Sequence, residues 1–133
     1  MRMVLKVSVL ILALIGMVSL GVRVIGYAEN PESHFSNYND LAASDLISKG
    51  WLPPYLPKSI SDITETHSID SGRVWATFKY DPMDISSIED ACQTIFNSTE
   101  GKKYVCPPYE KQATIVVLKK DGQGSLESAP NDL

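Results

Sequence analysis

The chain predicts an α+β protein, with an N-terminal export or transmembrane helix followed by one small domain of a helix, a β-hairpin, a second helix and one or two further strands. Three observations carry this. An uncharged, mostly apolar run, Val7 to Val22, lies between Arg2 and Lys6 on one side and Arg23 on the other. Two later segments carry apolar residues at helical spacing, and two β-rich runs flank the turn residues Asp70-Ser71-Gly72-Arg73.

The leader comes first. Counted on to Ile25 it has the length of a bilayer span, with the Arg23 stem reaching toward the head groups. Two outcomes fit residues 1–28. One is a retained anchor through residues 7–25. The other is a signal peptide cleaved after Ala28, since Gly26 and Ala28 are small where the peptidase requires it. We expect the anchor, because the apolar stretch exceeds the usual signal core. The basic residues Arg2 and Lys6 orient the amino end toward the cytoplasm, which puts the domain of a single-pass protein on the far side of the membrane.

From Glu29 onward there are nine basic and sixteen acidic side chains, a formal charge of −7, which disfavours a nucleic-acid partner. Cys92 and Cys106 are the two cysteines, and in an oxidising compartment they are expected to form a disulfide. No ligand set for a metal accompanies them, because His34 and His67 are the only histidines and C-x-x-C is absent. No cofactor is expected.

Residues 29–35 carry Pro31 and polar side chains and are expected to be a linker, with the α+β domain spanning 36–120. The first helix should start at an Asn37 N-cap, present Tyr38, Leu41, Ala42 and Leu46 as one stripe, and end at Gly50, where Trp51 closes a Schellman turn onto Leu46. Trp51 to Pro57 holds three prolines and must be an extended crossing. The hairpin is expected to turn at Ser71-Gly72, with Ile63 facing Tyr80, Glu65 facing Phe78, His67 facing Ala76 and Ile69 facing Val74. A second helix should begin near Ser86, with Glu89 completing a capping box, and run to about Asn97. Short strands are expected at 103–106 and 113–118, and 121–133 is expected to be a disordered tail.

Two features could bear function. The crossing concentrates Trp51, Pro53, Tyr55 and Leu56, which either cover the sheet or form a ridge for a partner. On the ribbon, Glu65 and His67 share one face two residues apart, the only pair with a chemical look. A carboxylate can tune a histidine base, but no third member is placed beside them by local spacing, so no enzyme is expected. They are expected to hold the crossing on the ribbon.

Gly50-Trp51-Leu52-Pro53, Leu56-Pro57 with Ser59, then Ile63, Glu65, His67, Asp70 and Val74-Trp75 together resemble the YbbD head domain, strongest over 49–80. The resemblance implies a small bacterial envelope protein of unassigned activity and brings no catalytic residue. Unlike lipoprotein members, this chain has no cysteine to lipidate at the end of its leader. The function expected is therefore a membrane-tethered periplasmic module that binds an envelope protein. An immunity or inhibitor protein against an exported toxin or hydrolase is the alternative, and an enzyme built on Glu65 and His67 is the remote one.

Overall fold

Alternate residues of Ser61–His67 and of Val74–Lys79 are buried, as a ribbon with one covered face requires. The computed structural model describes residues 2–107 and 113–128, in two units divided between Pro31 and Glu32. The first unit is α1 (Arg2–Glu29), within which Lys6–Ile25 is long and apolar enough to cross a membrane.

The second unit is a seven-stranded sheet in which every pairing is antiparallel. Its elements are β1 (Glu32–Asn37), α2 (Tyr38–Ala43), β2 (Ser61–His67), β3 (Val74–Lys79), α3 (Ser86–Ala91), β4 (Gln93–Asn97), β5 (Gly101–Cys106), β6 (Thr114–Lys119) and β7 (Gln123–Ser128). The order β1-β2-β3-β7-β6-β5-β4 describes two meanders joined where β3 pairs with β7. The connection through α3 carries the chain from β3 to the far edge, and the second meander returns.

Register places one side-chain row across the sheet: Glu65, Ala76, Leu126, Val116 and Tyr104. All five are buried. Leu41, Leu46, Leu52, Leu56, Ile60 and Ile88 join this face in a single core. Gly124 belongs in it for steric reasons, because a Cβ there would overlap the Phe78 ring. On the opposite face the Arg73 guanidinium stands 5.1 Å from the centre of the Trp75 ring and binds Glu127 at 2.9 Å.

Several expectations hold. Asn37 caps α2, its Oδ1 accepting from the Asp40 N–H at 3.1 Å. Gly50 takes φ +80°, the Trp51 N–H donates to Leu46 O at 2.9 Å and the Gly50 N–H to Ile47 O at 3.0 Å, which is the Schellman pattern. Cys92 and Cys106 are bonded.

Others are corrected. Within the expected linker 29–35, residues 32–35 begin strand β1, which the β2 edge recruits despite polar composition. The first helix stops at Ala43, where the Ser44 hydroxyl donates to Leu41 O at 2.6 Å, and a separate turn leads to Gly50. The second helix stops at Ala91. Thr94, Ile95 and Phe96 have strand propensity and form β4, in which Thr94 and Phe96 pair with β5 on either side of a register irregularity at Ile95, and Ile85 rather than Ser86 precedes α3, without a side-chain cap. Glu89 instead reaches Lys102 Nζ at 2.7 Å and Tyr104 Oη at 3.3 Å.

The hairpin is offset by two residues from expectation: Glu65 faces Ala76 and His67 faces Val74, leaving Ile69 in the loop, 63% exposed. A shift of two keeps every side chain on its face, whereas a shift of one would have inverted the ribbon. The largest correction is the tail. Residues 123–128 are β7, a central strand, and 129–133 lie outside the described residues.

Candidate functional site

Strand β2 supplies two polar side chains to a face otherwise meant for the core. Glu65 is 0% exposed and His67 9%, and Glu65 Oε1 lies 2.8 Å from His67 Nδ1. Their i, i+2 spacing makes them neighbours on one face of a strand. The residue facing Glu65 is Ala76, the smallest side chain of its row.

Trp51 lies against the imidazole, the ring centres 4.2 Å apart and the planes inclined by 27°. The crossing delivers it there. The Schellman turn at Gly50 reverses the chain, and buried Leu52, Leu56 and Pro57 then seat the proline-rich segment in the core. A histidine between a carboxylate and an indole is fixed by three forces together: a hydrogen bond, ring stacking and exclusion of water.

The electrostatics of Glu65 follow from its position. Burial raises its carboxyl pKa above the ordinary 4.5, and the neighbouring His67 opposes that rise without cancelling it. Its second oxygen, Oε2, is buried without a hydrogen-bond partner among the described residues. An ionised carboxylate in that position would leave charge on an unsolvated atom, so the protonated form gains. One proton thus serves the 2.8 Å contact, held by the imidazole Nδ1 or by the carboxyl.

Of the other residues singled out from the sequence, Leu56 is wholly inside the core, while Trp51, Pro53 and Tyr55 are half-buried. The Tyr55 hydroxyl donates to Pro107 O at 3.3 Å, tying the crossing to the end of β5. The structure therefore unites Trp51, Glu65 and His67, and leaves Pro53 and Tyr55 half-buried along the same crossing. The second histidine, His34, sits on the opposite, exposed surface between Glu32 at 2.9 Å and Thr64 at 3.0 Å.

Two features escaped the sequence reading. The Trp51–His67 stack joins residues sixteen positions apart, which no local spacing reveals. Lysines at 102, 103, 119 and 120 gather beside Phe96 in a groove of about 580 Å³, and the two lysine pairs were the available signal.

No curated protein and no solved structure matches the chain. Residues 29–79 match the family model of the YbbD head domain, a stretch that includes β1, α2, the crossing and the β2–β3 hairpin, with Trp51, Glu65 and His67 inside it. Strands β4 to β7 lie beyond the matched stretch and complete its sheet. By this match the segment 29–79 is similar to the YbbD head domain family.

Proposed function

We propose that this is a membrane-tethered, non-catalytic module of the bacterial envelope, with its amino end in the cytoplasm and its domain in the periplasm, and that it binds another envelope protein through Trp51, Pro53 and Tyr55. The family match suggests an envelope protein. The apolar helix and the disulfide favour export or a membrane anchor. The observation that carries the binding role is the clamped crossing. His67 and the buried Leu52 and Leu56 hold its half-exposed aromatics rigid, so a partner would meet a surface whose ordering cost is already met in the fold.

The same arrangement supports a non-catalytic role for Glu65 and His67. A general base has to reach a substrate proton, and here the indole covers one face of the imidazole while the carboxylate takes Nδ1. A second reading, an immunity or inhibitor protein, draws on the −7 charge of the exported part, which would speed association with a basic toxin or hydrolase.

The test is a pair of single substitutions, Trp51→Ala and Tyr55→Ala, in full-length protein cross-linked in membranes. Loss of a specific cross-linked partner, with the Tyr55→Ala domain still melting cooperatively within a few degrees of wild type, is the expected result. Unfolding of both variants with no selective loss of a partner sinks the proposal. Co-expression with a toxin gene from the same locus tests the second reading, and an unprotected cell argues against it.

A further inference from the structure

The sheet ends at β4, whose outer edge has no neighbouring strand among the described residues. All five of its residues are exposed, including Ile95 at 52% and Phe96 at 60%. An edge of this kind offers N–H and C=O groups with no partner in the sheet, and natural proteins usually blunt such an edge with charge or proline. Neither stands in Gln93–Asn97, where the one interruption is a register irregularity between Thr94 and Phe96.

The charge lies one strand inward. Register sets Phe96 beside Lys103 and Lys103 beside Val117, on the face opposite the Tyr104 core row. Around them opens the groove of about 580 Å³, to which Lys102, Lys119 and Lys120 also contribute. Lys102 is committed to Glu89 at 2.7 Å, while Lys103, Lys119 and Lys120 form no ion pair among the described residues. Glu100 and Asp121 also line the groove, and against its four lysines they leave a cationic excess on a domain that is acidic as a whole.

We infer that the β4 edge and this groove take an extended acidic segment of another protein by strand addition. The edge supplies main-chain hydrogen bonds on either side of the register irregularity between Thr94 and Phe96. Every second side chain of the added strand would fall on the groove side, where carboxylates face Lys103 on β5 and the field of Lys119 behind it, and apolar stems meet Phe96. A second copy of the chain docked β4 to β4 would bring like-charged grooves together. A lipid surface would leave the backbone groups of the edge without partners of defined spacing. This surface is separate from Trp51, Pro53 and Tyr55, so the inference stands or fails independently of the function proposed above.

The test titrates full-length protein in neutral detergent micelles with a fluorescein-labelled peptide of alternating glutamate and valine, read by polarisation. Binding is expected, and Lys103→Glu with Lys119→Glu should weaken it by roughly tenfold or more at unchanged melting temperature. A lysine–valine peptide, and the acidic peptide N-methylated at alternate amides, should bind at least about tenfold more weakly than the unmodified acidic peptide. Trp51→Ala protein should bind the peptide as wild type does. Equal binding of the N-methylated peptide would overturn strand addition. Absence of peptide binding would overturn the inference as a whole, whether a short-chain phosphatidylglycerol shifts the Lys103 amide resonance or the protein pairs with itself through β4.

Discussion

Replacing His67 by alanine is expected to destabilise the domain by about 3 kcal/mol, because it strands a buried carboxyl whose second oxygen already lacks a partner. The loss includes the Trp51 stack, which holds the start of the crossing. Replacing both polar residues by apolar ones of similar volume, Glu65→Met with His67→Phe, should cost far less and keep a ring under Trp51. Urea unfolding of the two single variants and the double variant measures the coupling. A His67→Ala protein as stable as wild type would show that the pair does not hold the crossing.

The same pair makes a pH prediction. Burial raises the Glu65 pKa, so the folded protein retains this proton to higher pH than the unfolded chain does. Its contribution to stability is then complete below the ordinary value of 4.5 and is lost as pH rises through the higher folded-state value. Glu65→Gln has no such proton to lose. The melting temperature of wild type minus that of Glu65→Gln should therefore fall as pH rises from about 4 to about 8. A difference that climbs with pH would reverse the assignment, placing the carboxylate in an environment that favours its charge.

The second large effect belongs to the disulfide. Cys92 and Cys106 are separated by 14 positions and close a loop that holds β4, the turn that follows it and β5. Replacing both by serine is expected to remove about 3 kcal/mol, on the order of 15 °C in melting temperature for a domain of this size. The change should be local first. β4 pairs on one side only, so its amides should lose hydrogen-exchange protection before those of β6 and β7. Equal melting of oxidised and reduced wild-type protein would contradict this.

How much of this was legible depended on the range of the interaction involved. The Asn37 cap and the Gly50 turn are set by a few consecutive residues, and both appear as the spacing predicted. The hairpin faces were also legible, since a register error of two preserves them. The expected second helix failed for an instructive reason. Ile88, Ala91, Cys92, Ile95 and Phe96 fit helical spacing, yet only Ile88 is fully buried, and the β-branched and aromatic residues beyond Cys92 pair with β5.

The Glu65–His67 pair was legible because both residues lie on one strand. Its completion by Trp51 was not, because the indole arrives from a crossing that the core places. The residues of the groove were hidden in the same way. Spacing alone puts Phe96 on the apolar face of a helix, while the lysines come from β5 and from β6 with its following turn, and strand pairing is what puts them together.

By itself the sequence determined the apolar N-terminal run, the acidic body that follows it, the cysteine pair, the α+β class and the face on which Glu65 and His67 lie, all properties of composition or of short spacing. Tertiary structure alone decided that Gln123–Ser128 is a central strand. That segment has one large apolar residue, Leu126, and no strand signature of its own. It is held between β3 and β6 because both neighbours supply hydrogen-bond partners and because Gly124 leaves space for Phe78. Partners distant in the chain decide such a strand, and a local pattern carries no record of them.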